Sequence, residues 1–331
     1  MLESLTSADS AHSQADIRPK VSIITVTYGS RNEIPDCIES LQRQPVPFEI
    51  FLVDNASPDN TAEIISDYAA RFDNVHAILN KDNIGLAAAN NCPLGKCLGD
   101  YVLILNPDTL LLDTTLATLV DFLDQHPDVG VVGPRNVYAD GTPHSSSHRR
   151  WGLLHILLWR VLPYRFSRWM YDRFSTYELK DKLFVSGACL LIRRKTFEQI
   201  GGYDPEYFLT VEDACDLCIR AQGTGCRVVF VPTAEVVHHG GRSGVQAPYM
   251  VVWHGYRGSI YHCWKHKGIV QAVVVVVLLL VSSGIRSVVA TAMGLFVSQY
   301  RRTARIYGSV FWSLLARNPM RTKGCASTRP L

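Results

Sequence analysis

The C-terminal part of the sequence contains no acidic residue. Residues 251–331 carry eleven Lys or Arg and neither Asp nor Glu, so the first 250 residues hold the other 22 basic residues against all 30 acidic ones. The formal net charge of +3 hides this asymmetry. A basic segment of this kind indicates an anionic partner, either a nucleic acid or a membrane surface.

Charge of either sign is missing from two stretches of this basic part. Residues 269–285 contain seventeen positions without a charged side chain, and residues 287–300 form a second uncharged stretch after Arg286. A transmembrane helix needs roughly 20 apolar residues, so the first stretch is borderline as a span and also fits a buried core helix. A nucleic-acid-binding tail is basic without being this apolar, and we therefore expect no nucleic-acid partner.

The residues that flank these stretches favour membrane contact over a buried core helix. Basic side chains and aromatic rings are both typical of membrane interfaces. The flanks supply both types: Lys265, Lys267, Arg301, Arg302, Arg305, Trp253, Tyr256, Tyr261 and Trp264. The sequence thus predicts a C-terminal apolar, basic, helical membrane-associating region over residues 251–331, which either spans the membrane or lies on it.

An apolar signal-peptide core is missing from the first 20 residues. They contain acids and serines, which predicts a flexible N-terminus over residues 1–19 and no signal peptide. The nine cysteines are scattered and odd in number, which favours reduced thiols over a disulfide framework. We accordingly expect the protein at the cytoplasmic face of the cell membrane, either peripheral or inserted through its C-terminal region.

Glycine loops that cradle phosphates are absent too. The first strand pattern, residues 21–29, leads into TYGSRNE, which has neither the dinucleotide-binding glycine pattern nor a P-loop lysine. Ordinary Rossmann dehydrogenases and P-loop NTPases are therefore disfavoured.

What the sequence does contain is an alternation of strand and helix patterns. Apolar, β-branched runs at residues 21–29, 48–57, 75–80 and 100–106 are separated by helical periodicity at residues 33–44, 57–72 and 85–98. This order predicts an α/β fold with a mainly parallel central sheet, within a folded domain over residues 20–250. Ligands of such sheets bind beyond the carboxyl ends of the strands. The polar residues there are Thr27, Tyr28, Asp54, Asn55, residues 80–85, Asn106 and Asp108.

Two aspartates at strand ends are the first candidates for ligand contacts. Asp54 can accept a hydrogen bond from a pyrimidine N–H or a ribose hydroxyl. Asp108 follows an apolar strand, where a carboxylate needs a partner. A divalent cation that bridges it to a diphosphate would be one such partner. The alternative is that Asp108 caps a helix starting near Thr109, and spacing alone leaves both interpretations open.

Seven motifs follow one another in a fixed order between residues 20 and 245. They are VTYGS, VDNASPDNT, NKDNIGLAAANN, LILNPDT, VSGACLLIRRKTFEQIGGYDPEYF, VEDACDLCIR and VVHHGGRS. Together they resemble glycosyltransferase family 2, especially its bacterial rhamnosyltransferase-like branch. The resemblance implies a GT-A nucleotide-sugar-binding fold, inversion at the anomeric carbon, a divalent metal ion (Mg²⁺ or Mn²⁺) and a cytoplasmic active site.

The same resemblance implies roles for individual residues around the nucleotide-sugar donor. Asp54 would read the nucleobase, Asp108 would bind the metal, and His238 stands where relatives reach the metal or the diphosphate. Asn106 departs from the family pattern, because it replaces the first carboxylate of an Asp-x-Asp metal motif with an amide. The remaining residues expected near the donor are Thr27, Tyr28, Asn83, Gly85 and Arg242, whose guanidinium can match diphosphate oxygens.

The stretch VEDACDLCIR, residues 211–220, holds three carboxylates. The resemblance assigns to Asp213 the base that takes the proton of the acceptor hydroxyl, with Glu212 beside it. Relatives typically read Glu-Asp-x-Asp-Leu-Cys, whereas this chain has one additional residue between Asp213 and Asp216. On a helix these two aspartates share a face, but an inserted residue rotates one end by roughly 100°. Asp216 is therefore the alternative base.

The same stretch contains a Cys-x-x-Cys pair, Cys215 and Cys218. A zinc site would need two further ligands, and no second Cys-x-x-Cys occurs in the chain. Reduced cysteine is among the most buried side chains, so we expect this pair to pack in the core.

A further basic segment, residues 148–174, interleaves six arginines with tryptophans and apolar residues. It fits either an amphipathic helix at a membrane interface or an ordinary surface helix. With the basic C-terminal region, it suggests that the acceptor is presented at a membrane.

These features predict an inverting glycosyltransferase whose favoured donor is dTDP-rhamnose and whose acceptor is a lipid-linked or cell-envelope glycan. Two alternatives stay open at this point. One is a family 2 transferase that uses a UDP-sugar donor. The other is a non-catalytic, membrane-attached nucleotide-sugar-binding or scaffold protein, which the altered base motif and Asn106 make conceivable.

Overall fold

The computed structural model of this chain describes residues 18–148, 153–156, 160–162, 166, 184–240, 248–317 and 319. Residues 1–17 of the predicted flexible N-terminus, most of the basic segment 148–174 and the candidate donor residue Arg242 lie outside these ranges.

Ten strands make up two sheets, one large and one of two short strands. The strands are β1 (Val21–Thr27), β2 (Phe48–Asp54), β3 (Val75–Leu79), β4 (Tyr101–Leu105), β5 (Thr109–Leu111), β6 (Val129–Val137), β7 (Ser147–His148), β8 (Phe184–Val185), β9 (Cys189–Arg193) and β10 (Arg227–His238). The predicted strands over 21–29, 48–57, 75–80 and 100–106 are all present, each one to three residues shorter than its pattern.

Within the described ranges, ten α-helices with defined bounds accompany the strands. They are α1 (Ile34–Gln42), α2 (Thr61–Arg71), α3 (Leu86–Asn91), α4 (Thr115–Gln125), α5 (Leu153–Ile156), α6 (Arg194–Gln199), α7 (Glu212–Gly223), α8 (Pro248–Lys267), α9 (Ile269–Gly294) and α10 (Gln299–Ala316). A short 3₁₀ turn, Leu94–Lys96, completes the predicted helical segment 85–98.

The large sheet has the strand order β3-β2-β1-β4-β9-β6-β10-β5. The first four strands are parallel, β9 runs antiparallel to both of its neighbours, and β5 runs antiparallel to β10. The sheet is therefore mixed, with six strands in one direction and two in the other. All seven residues of β1 are buried, as expected for a central strand with helices on both faces.

Two hydrophobic cores lie on opposite faces of this sheet. One contains apolar residues of α1, α2 and α4, and the other contains those of α3, α6, α7 and α8. Burial on both faces explains why the strand patterns are continuous apolar runs and not alternations.

The strand after Asp108 corrects one of the two interpretations of that residue. No helix starts near Thr109, because β5 begins there and α4 begins only at Thr115. β5 pairs with β10 in a register that sets Thr109 opposite His238. The helix-cap interpretation was wrong because this long-range pairing leaves no room for a helix.

The C-terminal helices divide into the largely buried helix α8 and the more exposed pair α9 and α10. Three aromatic residues expected at a membrane interface, Trp253, Tyr256 and Tyr261, are instead buried in the protein core, and Trp264 alone of that group is exposed. Among the described helices, α9 alone is long and apolar enough to cross a membrane. The aromatic argument for membrane contact was therefore wrong for α8, which packs against α7.

Candidate active site

The carboxylate of Asp54 lies at the end of β2 and is held by hydrogen bonds. Thr27, at the end of β1, donates its hydroxyl to Asp54 Oδ1 at 3.1 Å, and the Ser57 backbone N–H donates to Oδ2 at 3.0 Å. The Ser57 hydroxyl also donates to Oδ1, and it accepts a bond from the Gly29 N–H at 2.9 Å. The carboxylate is thereby fixed beside Tyr28, which is partly exposed at the same strand end.

A chain of asparagines continues this strand-end surface toward α3. The Asn55 amide donates to Asn83 Oδ1 at 2.9 Å and accepts a bond from Asn80 at 3.2 Å. Asn83 Oδ1 in turn accepts the Gly85 N–H at 3.0 Å. The predicted residues Asp54, Asn83 and Gly85 therefore belong to one hydrogen-bonded surface.

Gly85 is required for the close approach of a neighbouring loop. Its φ is +89°, and a Cβ there would lie 2.7 Å from a ring carbon of Phe208 and 2.9 Å from the Phe208 carbonyl oxygen. The next residue, Leu86, donates its N–H to that carbonyl at 2.6 Å. A side chain at position 85 would therefore push the start of α3 away from the loop that precedes α7.

Asp108 and His238 face each other across the β5–β10 pairing. Both are buried, with His238 Nε2 at 3.4 Å from Asp108 Oδ1, and the His239 N–H donates to the Asp108 carbonyl at 3.0 Å. The other ring nitrogen of His238 is buried without a hydrogen-bond partner. Among the described residues, no group of three or more His, Cys, Asp or Glu side chains surrounds a common point.

This pair fits a metal site that a substrate completes. Mg²⁺ typically binds through one or two carboxylates together with substrate phosphates, so one carboxylate and one imidazole are a sufficient protein contribution. Asn106 lies at the end of β4, two residues before Asp108, and offers an amide oxygen in place of the family carboxylate.

Two contacts bring the first turn of α7 close to the end of β4. The Asn106 N–H donates to the Ala188 carbonyl at 2.9 Å, which ties the end of β4 to the turn before β9. A Cβ at Gly187 in that turn would lie 3.2 Å from the Ala214 Cβ and 4.0 Å from Asp213 Oδ1. The absence of a side chain at position 187 thus leaves space in front of the Asp213 carboxylate.

Asp213 is a buried carboxyl group in the first turn of α7. Its exposed fraction is 5%, and burial raises its pKa to about 8, with a further increase from the charge of Glu212. The Ala214 N–H donates to Oδ1 at 2.5 Å and opposes this shift. A carboxyl group with a pKa in this range can accept a proton near neutral pH.

Glu212, the neighbour of Asp213, is fully buried and ion-paired. Its two oxygens accept from Arg160 Nη2 at 3.2 and 3.1 Å, and the Ser259 hydroxyl of α8 also donates to it. Gly255 of α8 makes room for the guanidinium, since a Cβ there would lie 2.6 Å from Arg160 Nη1. Arg160 belongs to the segment that the sequence suggested for a membrane interface, but here its side chain points into the protein.

Asp216 lies further along α7 and faces α8. Burial alone would raise its pKa, but the hydrogen bond from His266 and the charges of Arg220 and Lys265 hold that pKa well below its usual range. All three partners lie 2.7 Å from its carboxylate oxygens. A carboxylate so strongly stabilised in its charged form is a weak proton acceptor.

We expect Arg160→Met to lower the free energy of unfolding by about 3–5 kcal/mol, because it leaves the buried Glu212 charge without its partner. Denaturant unfolding measures this change. Arg43→Met is the matched control, since Arg43 forms exposed ion pairs and should cost less than about 1 kcal/mol. Glu212→Gln in the Arg160→Met background should restore part of the lost stability. Equal losses of unfolding free energy in Arg160→Met and Arg43→Met would contradict the assignment of a buried Arg160–Glu212 ion pair.

Cys215 and Cys218 are both buried in the core on the inner face of α7. Burial raises the pKa of the Cys218 thiol to about 12, which keeps it protonated. The eight cysteines within the described ranges are thiols that form no disulfide. The expected core packing of the Cys-x-x-Cys pair agrees with this placement.

Sequence reasoning missed several polar residues that hold the site. Arg160, Ser259, Lys265 and His266 contact the α7 carboxylates, yet they come from segments that read as membrane-facing. One signal was available: Gly255 and Gly258 are spaced i, i+3 on α8, and a Cβ at these positions would clash with the side chains of Arg160 and Thr210.

Comparison with known proteins agrees with this geometry. The family model described as Glycosyl transferase family 2 matches residues 22–201. An N-acetylglucosaminyl-diphospho-decaprenol L-rhamnosyltransferase of Mycobacterium tuberculosis strain H37Rv is 30% identical over 247 residues, which cover 68% of this chain and 78% of that protein.

Solved structures share the fold at lower identity. The mannosyltransferase PcManGT from Pyrobaculum calidifontis, in complex with GDP-Man and Mn²⁺, has a TM-score of 0.54 at 18% identity and covers 92% of this chain and 88% of its own. Residues 1–349 of TarS from S. aureus have a TM-score of 0.50 at 17% identity, over 89% of this chain and 90% of that one. The α/β fold is therefore GT-A-like, and the chain is a rhamnosyltransferase-like enzyme that belongs to glycosyltransferase family 2.

Proposed function

We propose that this enzyme transfers a sugar, with inversion, from a nucleotide-sugar donor to a lipid-linked diphosphate sugar at the cytoplasmic face of a membrane. The favoured donor is dTDP-rhamnose. The observation that carries the proposal is a buried carboxyl group with a raised pKa, Asp213, beside the Gly187 turn. The next residue of that turn, Ala188, accepts a hydrogen bond from Asn106, two residues before Asp108. The similarity to the mycobacterial rhamnosyltransferase supports rhamnose and a lipid-linked acceptor.

The donor nucleotide would occupy the strand-end surface of β1 and β2. Asp54 is pre-oriented by Thr27 and Ser57, and it can accept a bond from the N–H edge of a pyrimidine base. Tyr28 and the amides of Asn83 and Gly85 would line the same surface. Thymine and uracil present the same N–H edge, so this surface suits dTDP- and UDP-sugars alike.

The diphosphate would lie between the ends of β4 and β10. Asp108 and His238 would hold a divalent cation there, and Asn106 would add an amide contact. When bound, such an ion acts as a Lewis acid and stabilises the charge that develops on the diphosphate. Arg242 follows β10 closely in sequence and is proposed as a further diphosphate contact.

Asp213 would act as the general base. The acceptor hydroxyl oxygen attacks the anomeric carbon on the face opposite the diphosphate, and its proton passes to Asp213. The bond between the anomeric carbon and the diphosphate oxygen breaks, and its electron pair leaves with the diphosphate. Gly187 leaves the space through which the acceptor approaches the carboxylate, while Glu212 and its Arg160 partner hold the first turn of α7 in place.

A donor panel tests the proposal. Purified full-length enzyme with Mg²⁺ or Mn²⁺ and an N-acetylglucosaminyl-diphospho-polyprenol acceptor is expected to release nucleoside diphosphate fastest from dTDP-rhamnose. Faster release from a UDP-hexose would reassign the donor and keep the mechanism. Release from no donor across dTDP-, UDP- and GDP-sugars would overturn the proposed function.

The pH dependence of the reaction offers an independent check on the base. Since burial raises the pKa of Asp213 to about 8, kcat/KM is expected to increase with pH and to level off above about pH 8. Steady-state rates at fixed metal concentration between pH 5.5 and 9.5 measure this profile. A profile that is flat between pH 6 and 9 would contradict the assignment of the base.

A further inference from the structure

Helix α9 has two different faces along its whole length. One face is buried against α8 and α10 and consists of small and apolar residues, namely Ala272, Val275, Leu279, Ser282, Ser283 and Ala290. The other face is a stripe of exposed aliphatic side chains at helical spacing, namely Val270, Val273, Val277, Val281, Ile285 and Val288, each more than half exposed. We call these six residues the α9 stripe.

The α9–α10 hairpin is fastened to the catalytic domain at several points. Arg286 of α9 donates to the carbonyls of Val161 and Leu162 at 3.1 and 2.8 Å and to the Tyr307 hydroxyl of α10 at 2.7 Å. The neighbouring Arg160 binds Glu212, so the middle of α9 lies close to the first turn of α7. A helix that crosses a bilayer away from the domain would lose these bonds.

The far end of α10 returns to the start of α8. The Tyr249 hydroxyl lies 2.8 Å from the Ser313 hydroxyl. α9 and α10 therefore both pack against α8, which in turn packs against α7. The α9 stripe, together with Leu295 and Phe296 at the turn of the hairpin, forms an apolar surface on the outside of the molecule.

Exposed basic side chains lie on α10, the other helix of the hairpin. A groove between α8 and α10 is lined by Tyr249, Arg302, Arg305, Ile306 and Ser309. Both arginines are exposed, and neither forms an ion pair within the described part of the chain. Because residues 251–331 contain no Asp or Glu, this surface complements an anionic, apolar partner.

We propose that the α9–α10 hairpin lies in the plane of an anionic phospholipid bilayer without spanning it. The α9 stripe enters the boundary between headgroups and acyl chains, and Arg302 and Arg305 bind lipid phosphates in the groove. An amphipathic helix with one apolar face and basic residues nearby in the sequence lies in the plane of the membrane interface. The bonds from Arg286 to Val161 and Leu162 hold the middle of α9 against the rest of the chain and oppose a spanning placement. This inference deepens the proposed function and rests on its membrane location.

Sedimentation of the full chain with vesicles that lack any acceptor tests the proposal. Binding is expected to phosphatidylcholine vesicles that contain phosphatidylglycerol, and to be much weaker with phosphatidylcholine alone. The double variant Val277→Glu/Val281→Glu should lose most of the binding, because it places two charges on the α9 stripe. Leu98→Glu is the matched control: Leu98 is 57% exposed, like Val281 at 55%, but lies on the catalytic domain.

The arginines are tested separately. Each basic residue near an anionic membrane surface contributes about 1 kcal/mol to the free energy of binding, so Arg302→Gln/Arg305→Gln should weaken binding to the anionic vesicles by about 30-fold. High salt should weaken binding in a similar way, because it screens the same charges. Alkaline carbonate should release the wild-type chain from the vesicles, since the hairpin does not cross them.

Three results would overturn the inference. They are no binding to anionic vesicles, a loss of vesicle binding in Leu98→Glu equal to that in Val277→Glu/Val281→Glu, or resistance to carbonate extraction, which would indicate a membrane-spanning helix. The arginine double variant should still turn over a water-soluble, short-chain acceptor. Vesicle binding without turnover of any donor would defeat the proposed function alone, and turnover without vesicle binding would defeat this inference alone.

Discussion

Asp213→Asn is expected to lower kcat by about 1,000-fold, within the range that general-base catalysis contributes. Asparagine has nearly the same shape and cannot take the acceptor proton. The pH dependence of the remaining activity should also disappear between pH 6 and 9. Steady-state rates with saturating donor and acceptor measure both effects, and donor affinity should change little because the nucleotide surface is formed by β1 and β2.

Stability measurements separate this chemical effect from misfolding. The pKa of Asp213 is raised from 3.8 to about 8 in the folded state, so the folded chain holds a proton that the unfolded chain releases in this interval. This group therefore costs stability progressively as pH rises from about 4 to 8. The Asn variant does not titrate and should be at least as stable as the wild type above pH 8.

Asp216→Asn provides the comparison between the two candidate bases. It removes a charge that Arg220, Lys265 and His266 stabilise. We therefore expect it mainly to lower the free energy of unfolding and to leave the pH profile of the remaining activity unchanged. If Asp216→Asn abolishes turnover in a stably folded protein while Asp213→Asn retains it, Asp216 is the base.

Asp108→Asn is expected to weaken Mn²⁺ binding in the presence of nucleoside diphosphate by at least about 100-fold, since even residues that only support a metal ligand contribute 10–100-fold to affinity. Metal-dependent turnover should fall together with the Mn²⁺ affinity. Titration calorimetry or Mn²⁺ electron paramagnetic resonance measures the binding directly, without relying on activity.

His238→Gln and Asp113→Asn complete this experiment. His238 lies 3.4 Å from Asp108, so its loss should also weaken metal binding. Asp113 is exposed and paired with Arg43 in the same region of the chain, and its variant should bind metal like the wild type. Unchanged Mn²⁺ affinity in Asp108→Asn would remove the metal assignment while leaving Asp213 as the base.

Asp54 and Asp108 illustrate how far strand patterns alone reach. Both were located from the sequence, because a continuous buried strand ends at each, and the carboxyl ends of parallel strands meet at one edge. The role of Asp108 stayed ambiguous, because local spacing fits a helix cap and a metal ligand equally well. The pairing of β5 with β10 excludes the helix cap, and residues more than 120 positions apart in sequence form that pairing.

The α7 carboxylates show a second limit. The family motif identifies Glu212, Asp213 and Asp216, but their neighbouring side chains decide their protonation. Asp213 lies beside a glycine turn, and burial raises its pKa to about 8, whereas Asp216 meets Lys265 and His266 of α8, which keep it ionised. Lys265 and His266 come from another part of the chain, so the local pattern, which offers only Arg220 four residues after Asp216, distinguishes the two aspartates incompletely.

By itself, the sequence determined the α/β architecture, the family, the strand-end residues and the basic, acid-free character of the C-terminal region. These properties follow from local periodicity, motif order and composition. Only the tertiary structure decided which carboxylate is buried without a cation, which aromatics of α8 lie in the core, and which face of α9 is exposed. The physical reason is that pKa and burial depend on groups brought together by packing between distant segments.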